Sequence, residues 1–215
     1  GGGADNQATG DCAVVGGGNQ NISSCCRSTV AGGQGNTATD FYTTVAGGYC
    51  NCSTNDYTTI AGGYCNNAAG SRSVIAGGQQ NQATGESSFV GGGLTNIACS
   101  DYSTVGGGRS NTTGSGFRHY NTVGGGQCNT AVGTNSTIAG GFSSCATGAC
   151  SFIGGGECNC VTHAYSSAIG VCVHSVSGSM LHANRLWLSA GALPTSNPGV
   201  VGVVWNDSGT LKISV

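Results

Sequence analysis

One β-branched residue recurs at a nearly constant interval along most of the chain. The interval is fifteen residues from Val15 to Val105, and then eighteen, fifteen, fifteen and sixteen up to Ile169. A period this regular is the signature of a solenoid, in which each repeat stacks on the next. We call these residues the anchors; they are Val15, Val30, Val45, Ile60, Ile75, Val90, Val105, Val123, Ile138, Ile153 and Ile169.

Glycine and asparagine keep the same phase as the anchors. Gly-Gly follows two and three residues after each anchor through Ile153, and Asn follows six residues after it, except where Ser144 stands. Glycine permits the positive φ of a sharp turn, and stacked asparagines can hydrogen-bond between repeats. We therefore expect two short strands and two turns per repeat, in an all-β parallel solenoid or β-roll. Three repeats illustrate the predicted turn and ladder residues: Gly32, Gly33, Asn36, Gly47, Gly48, Asn51, Gly77, Gly78 and Asn81.

The apolar content of one repeat is small, at about one Val or Ile and one Ala. A coil this thin buries little surface alone, so we expect a homotrimer in which the anchors also face a shared axis. The chain begins in mid-repeat, which favours a segment of a longer array, and the rolls are candidates for joining end to end into a filament.

Composition narrows the classes of function. Only 7% of residues are charged and the net charge is −2, which argues against nucleic acid as a partner because phosphate binding needs clustered Lys and Arg. No apolar run approaches the length of a membrane span, so no membrane insertion is expected. We find no cofactor motif and no catalytic triad, and we expect a protein that is not an enzyme and binds no cofactor.

Thirteen cysteines suggest an oxidising, extracellular setting or a robust particle. Cys50 and Cys65 occupy equivalent positions in adjacent repeats, and so do Cys145 and Cys160. Equivalent positions on stacked strands lie about 4.8 Å apart, within the Cα separation that a disulfide accepts. We expect staples within or between chains at these residues, or buried small side chains.

Two other patterns have both a chemical and a structural interpretation. Asp11, Asp56, Glu86 and Asp101 share one phase, which indicates an exposed column on a turn more than the carboxylate pair of a glycosidase. Cys158-x-Cys160-x-x-His163 supplies three metal-ligand types, but no fourth ligand has comparable spacing. We therefore expect disulfides or packing there and no metal site.

Aromatic residues and one insertion mark candidate contact surfaces. Tyr residues recur three before an anchor or four after one, which predicts cross-strand ladders suited to sugar contacts if exposed. Three extra residues separate Val105 from Val123, and an insertion in a solenoid maps to a surface loop. The predicted receptor contact on that loop consists of Phe117, Arg118, His119 and Tyr120.

The pattern Ser-x-Val-x-Gly-Gly-x-x-Asn-x-Ala-x-Gly, clear over Ser73–Gly85 and Ser136–Gly148, resembles the head repeats of trimeric autotransporter adhesins. The resemblance covers residues 1–170 and implies a left-handed parallel β-roll that trimerises. The doubled glycine, the fifteen-residue unit and the many cysteines depart from that family's pattern.

A second resemblance lies near the C-terminus. Leu181–Leu186, Leu193–Gly199 and Val204–Ser214 are similar to a short ending found in phage and virus tail-fibre proteins. The residues predict a hairpin with strands at Gly202–Trp205 and Thr210–Val215 and a turn at Asn206–Gly209. We expect residues 171–215 to cap the roll and lock a trimer, because a solenoid needs an end that stops further stacking.

These observations together predict a non-catalytic structural or adhesive fibre segment of a virion appendage, at a virion surface or extracellular, that contacts host glycans. The first alternative is a bacterial trimeric adhesin head. The second is an ice-binding solenoid, because a Thr column stands one residue before the anchors, although Val14, Val74, Phe89 and Phe152 interrupt it. That column contains Thr29, Thr44, Thr59, Thr104, Thr122 and Thr137.

Overall fold

The computed structural model describes residues 2–114, 120–175, 181–183, 204–207 and 210–213. The chain divides into two compact units, 1–184 and 185–215. The first unit is the all-β parallel solenoid that the repeat predicts, with rungs about fifteen residues apart. The described residues contain no helix, and so none long and apolar enough to cross a bilayer.

Most rungs contribute one two-residue strand to each of two parallel sheets. The sheet that holds the anchors, sheet A, has twelve strands: β2 (Val14–Val15), β4 (Thr29–Val30), β6 (Thr44–Val45), β8 (Thr59–Ile60), β10 (Val74–Ile75), β12 (Phe89–Val90), β14 (Thr104–Val105), β16 (Thr122–Val123), β18 (Thr137–Ile138), β20 (Phe152–Glu157), β22 (Ser167–Val171) and β23 (Leu181–Ala183). Sheet B has eleven: β1 (Gln7–Ala8), β3 (Ile22–Ser23), β5 (Thr37–Ala38), β7 (Cys52–Ser53), β9 (Asn67–Ala68), β11 (Gln82–Ala83), β13 (Ile97–Ala98), β15 (Thr112–Thr113), β17 (Thr130–Ala131), β19 (Cys145–Ala146) and β21 (Cys160–Val161).

The rungs stack in strict register, so each repeat position forms a column along the roll. Val30 pairs with Val45, and Val105 pairs with Val123 despite the three extra residues between them. The insertion therefore lies between β15 and β16 and leaves the register of both strands unchanged. In sheet A the residue before each anchor points outward and the anchor points inward, as the period of two requires.

The last predicted anchor is wrong. Ile153 pairs with Ala168, which is fully buried, whereas Ile169 is 50% exposed. The interval of fifteen residues is thus kept, and Ile169 points outward because it follows the inward Ala168 along the strand. Sequence reasoning favoured the bulkier residue, but register with the preceding rung decides which residue enters the core.

The core lies inside a single chain. The anchors from Val30 to Ile153 are fully buried, and each faces the small buried residue of sheet B, such as Ala38 or Ala68. The anchors therefore do not face a shared axis, and that reason for expecting a trimer is wrong. A single strand pair encloses them because the rung is narrow enough for one Val or Ile and one Ala to fill it.

A second buried column was missed from the sequence. Two residues before the anchors lie Ser or Thr side chains that are fully buried, including Thr43, Thr58 and Ser73. The Thr58 hydroxyl donates to the carbonyl of Asn55 at 2.7 Å and also lies 2.5 Å from the Ser53 hydroxyl. The recurrence of Ser or Thr two residues before most anchors was the available signal, and these hydroxyls close the second turn of the rung.

The second unit contains an antiparallel hairpin, β24 (Val204–Asp207) and β25 (Thr210–Ile213). Asn206 pairs with Leu211 and Asp207 pairs with Thr210. The first strand therefore runs two residues further than predicted, and Asn206 and Asp207 belong to the strand rather than to the turn.

The Gly-Gly turn provides a matched pair of substitutions. Gly141 has φ +108°, and a Cβ there would lie 2.3 Å from the carbonyl oxygen of Gly156 in the next rung. A Cβ on Gly140 would meet nothing within 4 Å. We expect Gly141→Ala to lower the free energy of unfolding by about 3 kcal/mol, through backbone strain and the clash, and Gly140→Ala to change it by less than about 1 kcal/mol.

Urea denaturation followed by circular dichroism measures both effects. Equal losses for the two variants would contradict this account of the turn.

Candidate functional site

The predicted turn and ladder residues meet in one continuous hydrogen-bonded column. The backbone N–H of Asn81 donates to Oδ1 of Asn66 at 2.9 Å, and its own Oδ1 accepts from the N–H of Asn96 at 2.9 Å. Nδ2 of Asn81 donates at 3.0 Å to the carbonyl of Gly77 in its own turn and at 3.0 Å to that of Gly93 in the next rung. One buried amide thus closes a turn and joins three rungs.

The same contacts recur along the roll. Asn36 donates to Gly32 and Gly48, and Asn51 donates to Gly47 and Gly63. These asparagines are fully buried. Ser144 replaces Asn in one rung; its N–H still donates to Oδ1 of Asn129 at 3.0 Å, and its hydroxyl accepts from Asn159 at 3.3 Å. Ser144 continues the column but has no second amide donor to span the turn.

One outer corner of the roll carries a tyrosine ladder, defined by Arg27, Tyr42 and Tyr57. The rings of Tyr42 and Tyr57 stack with centroids 5.0 Å apart and planes 7° apart. The Arg27 guanidinium lies 5.2 Å from the Tyr42 centroid and hydrogen-bonds the Tyr42 hydroxyl. Tyr102 and Tyr120 form a second stack at the same corner, with centroids 5.1 Å apart.

Stacking determines what these tyrosines offer a ligand. Tyr42 and Tyr57 are 41% and 54% exposed, but each covers a face of the other, and Arg27 covers the far face of Tyr42. The ladder therefore presents ring edges and hydroxyls to solvent. A sugar that stacks on an aromatic face has little to contact here, so this corner is a weaker glycan site than the sequence suggested.

The opposite corner carries Tyr49 and Tyr64, stacked with centroids 5.2 Å apart. Hydrogen bonding with the Cys50 thiol, and then its charge, raises the pKa of Tyr49. The charge of Cys65, and then hydrogen bonding with it, raises the pKa of Tyr64. Both phenols therefore keep their protons beyond the usual range and remain hydrogen-bond donors.

Beside Tyr64 runs a shallow groove, which we call the amide groove. It has a volume of about 500 Å³ and is lined by Cys65, Asn67, Gln80, Gln82, Thr95 and Ile97. These residues come from three consecutive rungs and two neighbouring columns, separated in sequence by the buried ladder asparagines. Its lining combines amide donors and acceptors with one aliphatic side chain and carries no charged group.

The predicted receptor loop is only partly described. Phe117, Arg118 and His119 lie outside the described residues. Tyr120, the remaining predicted contact, is 54% exposed and stacks on Tyr102.

The acidic side chains that share one phase make contacts with neighbouring residues. Asp101 accepts a hydrogen bond from the N–H of Glu86 at 3.0 Å, and the Glu86 carboxylate pairs with Arg72. Glu86 and Asp101 thus lie near each other, as their phase predicts, and each has a structural partner. One oxygen of Asp56 is buried without a hydrogen-bond partner among the described residues.

The predicted disulfides do not form within the chain, and staples between chains stay a prediction. All thirteen cysteines are free thiols, although Cys145 and Cys160 are register partners and Cys50 and Cys65 are one rung apart. Side chains at equivalent positions of parallel strands point the same way, so their Cβ atoms keep the rung spacing of about 4.8 Å. A disulfide needs a Cβ separation of about 3.8 Å. The prediction considered the Cα distance alone.

The Cys-x-Cys-x-x-His motif does not converge on one point. Cys160 stacks between Cys145 and His174, whereas Nδ1 of His163 lies 2.9 Å from the Ser175 hydroxyl. Among the described residues no group of three or more His, Cys, Asp or Glu side chains is placed to hold a metal ion.

No family model matches the chain, and no curated protein is significantly similar to it.

Reciprocal substitutions test the asparagine ladder. Asn81→Ser removes two amide donations, and we expect it to lower the free energy of unfolding by about 2 kcal/mol. Ser144→Asn supplies the missing donors to the turn beneath it, and we expect a gain of about 1 kcal/mol. Denaturant unfolding of the two variants gives both values. Gln82→Ala, at an exposed position next to Asn81, is the control, and an equal loss from that variant would contradict the role of the ladder.

Proposed function

We propose that this protein is a non-catalytic fibre segment of a virion appendage, at the virion surface or otherwise extracellular, which assembles as a homotrimer and contacts neutral host glycans. The observation that carries the proposal is the constant cross-section of the roll. Its rungs repeat in register, and the chemically capable side chains form columns along it rather than converge in a cleft.

The fold suits an element that transmits force along a fibre. Each described rung binds its neighbours through backbone hydrogen bonds and the buried asparagine column, so force on the roll would pass from rung to rung through these bonds. Repeats joined in this way also stack end to end without a new kind of contact. The similarity to adhesin head repeats and to tail-fibre endings supports the same interpretation at the level of motifs.

The trimer is proposed on the outward face of sheet A. Because the anchors are buried in their own chain, other residues must supply the contact. That face carries the Thr column together with Val14, Phe89 and Phe152, which are 50%, 38% and 40% exposed. Apolar side chains that project from a flat sheet favour burial against another subunit.

The amide groove is the proposed glycan contact. Asn67, Gln80 and Gln82 offer paired donors and acceptors that match sugar hydroxyls, and Ile97 offers an apolar surface for the ring carbons. The absence of a charged group in its lining favours neutral sugars over sialylated or sulfated ones.

The two alternatives make different use of the same surfaces. A bacterial adhesin head shares the trimer and the glycan contact, and the similarity of the C-terminal residues to tail-fibre endings is the ground for preferring the viral fibre. Ice binding needs a flat Thr face, but Phe89 and Phe152 project from the Thr column of sheet A.

Sedimentation velocity of the full chain tests the assembly. We expect a mass three times the 21.0 kDa of one chain. Phe89→Ser is expected to shift the species toward monomer, because it removes an exposed apolar contact of the proposed interface. A monomer at all concentrations for the unchanged chain would contradict the trimer.

A glycan array tests the contact. We expect binding to neutral oligosaccharides that falls at least tenfold in the double variant Gln80→Ala and Gln82→Ala. Gln127→Ala removes an exposed glutamine outside the groove and is expected to leave binding unchanged. Equal binding by the groove variant and the control would reject the groove as the site.

A further inference from the structure

Six of the thirteen cysteines stand in pairs at equivalent positions of adjacent rungs. The other seven have a different residue type above and below them. Cys128, for example, lies in the same column as Cys158, but its neighbours in that column are Ser110 and Ser143. The pairs are Cys50 with Cys65, Cys145 with Cys160, and Cys158 with Cys172.

The structure shows the members of each pair side by side. Cys145 and Cys160 are register partners in sheet B. Cys158 and Cys172 share φ 53° and hydrogen-bond the backbone of the preceding rung in the same way. Cys50 and Cys65 share φ 52° and follow the paired residues Tyr49 and Tyr64.

The distance between the thiols of a pair decides whether a disulfide or a bridging metal ion fits between them. Parallel side chains one rung apart hold their sulfurs about 4.8 Å apart, which is too far for the S–S bond of about 2.0 Å. A metal ion bound linearly between two thiolates, with bonds of about 2.3 Å, spans roughly 4.6 Å. The rung spacing therefore fits a two-coordinate metal without any movement of the backbone.

The number of available ligands limits which metal ions the pairs can bind. No group of three or more suitable ligands converges among the described residues, so the four ligands that zinc prefers are not offered. Soft monovalent ions such as Cu(I) select thiolates and accept two of them.

We propose that the three cysteine pairs are binding sites for soft, two-coordinate metal ions, with Cu(I) as the biological candidate. Each pair gives up two thiol protons to solvent and forms two metal–sulfur bonds with one ion, and nothing is oxidised or reduced. The inference is independent of the fibre function.

Charge repulsion favours a bound cation at these pairs once both thiols have lost their protons. Two adjacent thiolates repel each other in the empty site, and a cation between them removes that repulsion. Cys50 and Cys172 are exposed, so an ion reaches at least two of the pairs from solvent.

Silver(I) is a redox-inert probe of such sites. The full chain, reduced and held without oxygen, is titrated with silver nitrate in the presence of excess glutathione as a competing monothiol, and native mass spectrometry counts the ions retained. We expect three per chain for the unchanged protein, one for each pair.

Variants in one column separate a paired thiol from a lone one. Cys158→Ser and Cys172→Ser are each expected to retain two ions, whereas Cys128→Ser is expected to retain three. Ser143→Cys gives Cys128 a partner and is expected to retain four. Thermal melting by circular dichroism establishes that each variant is folded before the count.

Three results would overturn the proposal. The first is equal retention by Cys158→Ser and Cys128→Ser. The second is a count that follows the number of thiols rather than the number of pairs. The third is a protein mass, measured before silver is added, that is lower by two hydrogens per pair, because that mass identifies the pairs as disulfides.

Discussion

The buried asparagine column is the interaction on which the rest of the structure depends. A rung this narrow has room for one branched anchor and one small partner, so hydrophobic burial alone gives it little stability. The buried asparagines add stability through hydrogen bonds. Each fully buried amide bonds two turn carbonyls and the next asparagine. A buried polar group is favourable only when its hydrogen bonds are made, and three of the four that Asn81 makes reach the adjacent rungs and depend on stacking. The column therefore fixes the register as well as the stability.

Register then determines where every outer side chain lies. Because Asn81 must sit above Asn66 and below Asn96, the residues beside it in sequence are carried into columns of their own. This register produces the columns that form the tyrosine ladder, the amide groove and the cysteine pairs. A substitution at one outer position changes only its own column, so the sequence can vary a contact surface rung by rung without disturbing the core.

The repeat made much of the fold predictable. The anchors, the Gly-Gly turns and the asparagine phase were sufficient to predict a parallel solenoid and its interval. They were insufficient where two residues compete for one place, as Ala168 and Ile169 do, because register with the neighbouring rung and not apolarity decides. The location of the core inside a single chain was also missed, because a sequence does not show whether an anchor faces its own chain or a partner.

Other features leave no clear mark in the sequence. Each rung holds residues such as Tyr57 and Cys65 in the left-handed region, with φ 59° and 52°, although neither is a residue type that favours it. The N–H of Tyr57 donates to Phe41 and that of Cys65 to Tyr49, so hydrogen bonds to the adjacent rung offset that strain. The sequence was sufficient to predict that the candidate surfaces form columns. Only the side-chain geometry shows whether the tyrosine rings expose faces or edges, and whether the thiols converge or run parallel.

Hydrogen exchange of the asparagine side chains tests the central claim most directly. In protein labelled with ¹⁵N at asparagine, the side-chain amide protons of residues such as Asn51, Asn81 and Asn96 are predicted to exchange as slowly as the backbone amides of the sheets. Exposed Asn135 is the internal reference for fast exchange. Exchange of the ladder amides at the rate of Asn135 would contradict the account, because a buried, hydrogen-bonded column protects its protons from water.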